Sequence, residues 1–408
     1  MMPNDLDSEL RDTLSTIVEE HAVSDVADPV AAIEQRVGRR HRNRLLLVGS
    51  GIAAMIVFVV VVAAAISARD DGNKPRVVVS PSTTIPEPLL TNPVETMPKP
   101  PLAVRGDAAV VWTGRDLVVW GGDVEAFNMG LPGKDRSYAD GAVFDPRTRG
   151  WRAINPKTPL PNTFDTPVGV ATEDGVVFAR GKHMARWIAD DDVWIPYPDA
   201  AAPIQDLARS GDLLMSYSAN AVFDLDAARW SSLPTPPLAL ERAATVSTGS
   251  ELIVVGGPGT PFTDAAGLAL DPAAKQWRKL APFPRGMHAE ALAADWDGRR
   301  VVVANYDMKA ATYDPRADRW TTLPEVPARF SEWYPTARST GGRTAVFMAA
   351  AMVVLDGNRW TPLPAPTASL GTVATTRPGF GSQADNGVLF VFGFQDDENV
   401  LTAIDLDA

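Results

Sequence analysis

Two hydrophobic patterns divide the chain. Leu45 to Ala68 runs for 24 residues without a charge. At about 1.5 Å per residue such a helix covers roughly 36 Å, enough for a hydrocarbon layer of about 30 Å with some tilt. From residue 94 onward the apolar residues come instead in short runs bounded by Gly, Asp and Pro, such as Leu117-Val118-Val119-Trp120, Leu252-Ile253-Val254-Val255 and Leu389-Phe390-Val391-Phe392. Apolar runs this short between turn residues predict strands. Seven of them follow a Gly turn, at Gly114, Gly175, Gly211, Gly249, Gly298, Gly342 and Gly387.

A second hairpin follows each of the first six. Tyr313-Asp314-Pro315 leads through a turn to Arg319-Trp320, and near-copies run from Phe144-Asp145-Pro146 to Trp151, from Phe223-Asp224 to Trp230 and from Leu270-Asp271-Pro272 to Trp277, with six residues from Asp to Trp each time. Two shorter copies, Asp190 to Trp194 and Asp356 to Trp360, take four. The Asp side chain can accept a bond from the backbone two residues on and nucleate the turn, and the indole that follows marks a strand packed on its neighbours. Each unit therefore holds four strands, and successive Trp lie 36 to 47 residues apart, which fits the blades of a β-propeller.

Seven Gly turns stand against six Asp-to-Trp hairpins. The seventh unit reaches its third strand at Ala403-Ile404-Asp405-Leu406, while Met97-Pro98-Lys99-Pro100-Pro101-Leu102 resembles the end of a fourth strand, as in Leu233-Pro234-Thr235-Pro236-Pro237-Leu238. Residues 94–100 are thus expected to supply the outer strand of the last blade, because ring closure removes exposed sheet edges.

At this point the repeat resembles the kelch family, over about 310 residues. The resemblance is carried by Val119-Trp120-Gly121-Gly122, Val255-Gly256-Gly257, the aromatic-Asp turns at Phe144 and Tyr313, the six Trp, and Arg285 with His288 three residues on. It implies a propeller with one four-stranded blade per repeat, in agreement with the strand count. Only two units keep the Gly pair; among the others Ser216-Tyr217, Ala304-Asn305 and Met348-Ala349 stand in its place. The expected fold class is all-β, a seven-bladed kelch-like β-propeller over 94–408, preceded by a short helical tail, one transmembrane helix and a Pro-rich linker.

In the tail, residues 1–44, Leu6, Leu10, Leu14 and Ile17 mark one helical face, and Asp28-Pro29 opens a second short helix. Two readings stand for it: a partly ordered tail, or a docking element for a cytoplasmic protein through residues 1–40. Arg36, Arg39, Arg40, Arg42 and Arg44 outweigh Arg69, Lys74 and Arg76 across the apolar segment 45–68, so the N-terminus is expected in the cytoplasm and the propeller outside, in a single-pass cell-membrane protein. A cleaved signal peptide competes. Against it stand a leader of 44 residues and an apolar stretch longer than the usual h-region of about 7 to 15. Residues 69–93, rich in Pro, Ser and Thr, read as a tether.

Composition removes several chemistries. The chain has no Cys, which excludes disulfides, a thiol nucleophile, Cys-based zinc sites and the copper–tyrosyl–cysteine centre of kelch-like oxidases. A net charge of -12 repels phosphate backbones, so nucleic acid is not expected as a partner. His183 and His288, the histidines of the repeat region, stand far apart, and Asp190-Asp191-Asp192 fits turn chemistry better than calcium, so no metal or cofactor is expected.

What remains is the loops. In a four-stranded blade the loops joining strands two and three, and the links from strand four to the next blade, share one face. The richest carry Arg136 and Tyr138, Arg285 and His288, and Arg329, Glu332, Trp333 and Tyr334. These eight are the candidate ligand-binding residues, and no catalytic residue is assigned. The expectation is a membrane-anchored propeller that binds a protein or glycan without catalysis. One alternative is a sugar-modifying, mutarotase-like enzyme using Arg285, His288 and Glu332. Another is transmembrane signalling, since the layout of tail, span and outer domain is similar to bacterial membrane-bound anti-sigma regulators.

Overall fold

The computed structural model describes residues 90–407, apart from 91, 125–134, 260–262, 290–291, 328–334, 341, 349–350, 364–380, 386 and 396–397. The helical tail, the segment 45–68 and the tether up to residue 89 lie outside the described residues.

The repeat folds as an all-β, seven-bladed propeller. Each blade is a four-stranded antiparallel sheet, and in the first six the strands pair in chain order. The innermost strands are Ala109–Trp112, Val168–Thr172, Ala208–Ser210, Glu241–Ser247, Ala293–Trp296, Thr336–Thr340 and Gly381–Asp385. The second strands Leu117–Trp120, Gly175–Arg180, Leu252–Gly257 and Val301–Ala304 are buried along their whole length because both faces pack on neighbouring blades. That is why their sequences read as continuous apolar runs rather than alternations.

The seventh blade closes as expected. Val94–Thr96 pairs antiparallel with Glu398–Asp405, Val94 facing Ile404, Glu95 facing Ala403 and Thr96 facing Thr402. The Met97 amide donates to the Leu401 carbonyl at 2.8 Å, and that of Asp405 to the Pro93 carbonyl at 2.8 Å. Seven apolar clusters fill the seven joints between blades, one of them joining Phe390 and Phe392 of blade 7 to Val119 and Phe144 of blade 1. Full burial of each such side chain stabilises by about 1.5–3 kcal/mol.

The repeated Trp has one task in all six copies. Its indole N–H donates to a backbone carbonyl two residues past the outer strand of the preceding blade: Trp151 to Pro98, Trp194 to Asn155, Trp230 to Pro198, Trp277 to Pro234, Trp320 to Ala281 and Trp360 to Pro324, at 2.8–3.0 Å. In two joints the clamp is double. Asp192 and Asp318, two residues before their Trp, accept the amides of Asn155 and Ala281 at 3.0 Å, the same residues whose carbonyls the indoles take.

The hairpin Asp behaves as its sequence position suggests. Asp145, Asp271 and Asp314 each accept the amide two residues on at 2.9 Å. The turn ends with a residue in the left-handed region, Arg149, Ala228, Lys275 or Asp318, at φ between 45 and 54°. Gly175 differs from the other turn glycines: it opens the strand Gly175–Arg180 without a positive φ, and a Cβ there would collide with the Trp187 carbonyl.

Candidate binding face

The strand order brings the two-to-three loops and the blade-to-blade links onto one face of the ring. The residues just after each second strand decide how the incoming link seats. Gly122 has φ +92°, and a Cβ there would collide with the Gly106 carbonyl on the link into blade 1. Gly106 and Asp123 exchange backbone bonds at 2.8 and 3.0 Å across that close approach. Gly257, which ends its second strand, instead leaves room for the link out of blade 4, since a Cβ would lie 2.6 Å from that of Ala289. Where the Gly pair is missing, a side chain takes over. Asn305, fully buried, donates to the His288 carbonyl at 3.2 Å and accepts the Lys309 amide at 3.0 Å. The Tyr217 hydroxyl accepts the Leu240 amide at 2.7 Å.

Around blades 7, 1 and 2 the face is held by two fully buried arginines. Arg105 donates to the carbonyls of Ala103 and Gly121 at 2.9 and 3.1 Å and to the Asp140 carboxylate at 2.7 Å. The Asn399 amide group bonds the carbonyls of Leu102 and Ala103, and its oxygen accepts the Arg105 amide at 3.1 Å. Arg180 donates to the carbonyls of Asp165, Tyr138 and Gly122 at 2.9, 2.5 and 3.2 Å. Burial pulls its guanidinium below the ordinary value, and the Asp123 and Asp165 carboxylates oppose that. These guanidiniums spend their donors on loop carbonyls and, for Arg105, on the Asp140 carboxylate, as buried charges must.

Of the candidates read from sequence, Arg136 is exposed on a small ribbon in which Val124 faces Arg136 and Asp123 faces Ser137. The Tyr138 ring lies under the Arg105 guanidinium, 4.1 Å from its carbon, and so belongs to the network that holds the loop. Arg285 is exposed and, on the link out of blade 4, lines a 270 Å³ groove on that blade with Asp264, Lys279 and Phe283. His288 is half-buried, and its Nδ1 is enclosed with no hydrogen-bond partner. The blade 1 pair and the blade 5 pair therefore occupy separate sectors of the ring. Arg329, Glu332, Trp333 and Tyr334 lie outside the described residues. Among the described residues no three His, Asp or Glu side chains converge as metal ligands.

A larger groove, 670 Å³, opens on the same face between blades 3 and 4. It is lined by Tyr217 and Asn220 of one two-to-three loop, by Asp206 and Leu240 of two links, and by Glu241, Arg242 and Thr245 of an innermost strand. Sequence reasoning passed over these residues because Leu238-Ala239-Leu240-Glu241-Arg242 carries no aromatic or His to draw the eye. The available signal was position: Arg242 stands where a blade-to-blade link enters its innermost strand, a few residues past a link like the one that carries Arg285.

No protein-family model and no curated protein matches this sequence. The propeller is compatible with a kelch-type repeat, the motifs of which sit where the loops need them.

Proposed function

We propose that the chain is a binding protein: a propeller tethered outside the cell membrane by the segment 45–68, recognising a protein or glycan through the face of two-to-three loops and blade-to-blade links. One observation carries the reading. Both described grooves open on that face, while the buried arginines beneath it are engaged by loop carbonyls and the Asp140 carboxylate and serve as framework rather than reagents. Rigid walls with variable free side chains suit recognition.

A protein and glycan screen on the full chain, followed by hydrogen exchange on the bound form, tests it. Protection of amides at Tyr217–Asn220 or Asp264–Arg285 is expected. Protection confined to the opposite-face turns Thr113–Asp116 and Thr248–Glu251 would refute it. For the membrane orientation the Cys-free background is useful. A Cys replacing Arg299 should react with an impermeant maleimide on whole cells, and one replacing Ser8 should not; the reverse pattern overturns the topology.

The sugar-modifying alternative rests on the enclosed, unpartnered Nδ1 of His288, on the link that also carries Arg285. Turnover of any sugar lost in both Arg285→Ala and His288→Ala would favour it over pure binding.

A further inference from the structure

We infer that the groove between blades 3 and 4 is a saccharide site that selects a ligand bearing a carboxylate, with Arg242 as the anion contact and Asn220 and Glu241 as acceptors for hydroxyls. This rests on the binding-face reading above. Three polar groups in the groove have no internal partner. The Asn220 amide nitrogen donates to the Leu233 carbonyl at 3.1 Å, which fixes the amide orientation and leaves Oδ1 as a buried acceptor with no donor. The side chains of Glu241 and Arg242 make no hydrogen bond or ion pair with each other or with any described residue. A fitting ligand must bring donors to two acceptors and an anion to one guanidinium. Other groove groups are already committed: Asp206 accepts the amides of Tyr217 and Ser218 at 2.9 and 2.8 Å, and the Tyr217 hydroxyl is held by Leu240.

The backbone here is built to present these side chains. Pairing of the innermost strand jumps from Glu241 facing Gly257 to Ala244 facing Val255, so one extra residue bulges between them. Arg242 sits in that bulge at φ +49°, a left-handed conformation that costs energy for a side-chain-bearing residue. Gly256 makes room for it, since a Cβ there would come within 2.9 Å of the Glu241 carbonyl. Bulges re-aim side chains and recur beside functional sites.

The same bulge favours a saccharide over a peptide. A peptide would dock most simply by adding a strand to the free edge of Glu241–Ser247, and a bulge twists that edge out of register. The apolar part of the lining, Pro236, Ala239 and Ala243, suits the C–H face of a sugar ring. A volume of 670 Å³ falls in the range of small-ligand sites. The overall charge of -12 disfavours polyanions, so one carboxylate on an otherwise neutral saccharide is the fitting chemistry.

The test is titration calorimetry on the purified full chain with a glucuronic-acid-capped disaccharide and with the same disaccharide carboxyl-reduced to the alcohol. The acidic sugar should bind more tightly than the neutral one. Arg242→Asn, which tolerates the left-handed backbone, should weaken the acidic sugar about tenfold and leave the neutral one unchanged. Asn220→Ala should weaken both about tenfold, with melting temperatures of both variants read alongside to confirm folding. Equal affinity for the two sugars in the native chain, absence of binding to either, or binding only of an acidic peptide overturns the inference. Binding that survives both variants but is lost in Arg285→Ala overturns it while keeping the binding face. Protection confined to the opposite-face turns overturns both.

Discussion

Six joints of the ring and the seventh are built differently. Wherever the chain runs on from one blade into the next outer strand, an indole from that strand reaches back to the carbonyl after the preceding one. The seventh blade takes its outer strand from Val94–Thr96, and there Val94 stands opposite Ile404, in the place that Trp320 takes opposite Tyr313. Among the described residues the joint between blades 6 and 7 rests on an apolar cluster of Phe347, Val354, Leu389 and Val391, on Arg343, which donates to the Leu406 carbonyl at 2.7 Å and pairs with Asp407, and on the Gly387 amide. The strand that closes the ring gave up its indole; its own grip comes from the ladder and from Glu95, which accepts from Arg149 of blade 1 at 2.6 Å.

The largest effect should come from breaking the closing ladder. Glu95→Pro with Met97→Pro removes inward-facing donors and a buried side chain, and should cost about 5 kcal/mol, leaving an open edge that light scattering detects as aggregation. Next comes the clamp itself. Trp320 packs tilted against Phe283 with centroids 3.8 Å apart and also bonds Ala281, so Trp320→Ala should cost about 3 kcal/mol by urea denaturation. Trp320→Phe, which loses the bond and keeps a ring, should cost about 1 kcal/mol. Val94→Ala at the unclamped joint should also cost about 1 kcal/mol. If Val94→Ala equals Trp320→Ala, the two kinds of joint are not energetically distinct.

The double clamp adds a pH dependence. The Tyr313 hydroxyl donates to Asp318 at 2.6 Å, and that bond, with the Ala281 amide and Arg278, holds the Asp318 carboxyl below the usual carboxylate range. A depressed acid stabilises the fold above its unfolded value and loses that contribution as pH falls through the folded one. Acid should therefore loosen this joint, and Asp318→Asn should flatten the stability curve at the acid end. Burial first, and then Asp318, pushes Tyr313 up to about 12, so its contribution is complete below the ordinary tyrosine value and lost as pH rises toward that figure. Tyr313→Phe should flatten the alkaline limb. The smallest effect is a gain: Ala228, at φ +48°, should give up to about 1 kcal/mol on replacement by Gly, read as a small rise in melting temperature.

Much of this was legible beforehand because it is periodic. The Asp turns, the Trp and the apolar second strands each reflect one local cause repeated, and the mismatch of six against seven located the closing strand. The bonds of the Trp were not legible, since their partners are bare carbonyls whose sequence varies from Pro98 to Asn155 to Ala281. Nor was the blade 3–4 groove. It depends on a bulge at Arg242 and on the enclosed oxygen of Asn220, and neither the register of a strand nor the satisfaction of an amide shows in a residue list. Tyr138 adds a contact the residue list did not show: its half-buried ring lies 4.1 Å from the Arg105 guanidinium carbon.

The closed ring is the claim on which the rest depends, and a Cys pair tests it most directly. Thr96 and Thr402 face each other next to the hydrogen-bonded pair of Met97 and Leu401, so they form a non-hydrogen-bonded pair, the closer of the two kinds and suited to a disulfide. In a chain with no other Cys, Thr96→Cys with Thr402→Cys should oxidise to a single intramolecular disulfide and raise the melting temperature. Free thiols after oxidation, or disulfides only between molecules, would show that the strand does not lie where the ring requires it.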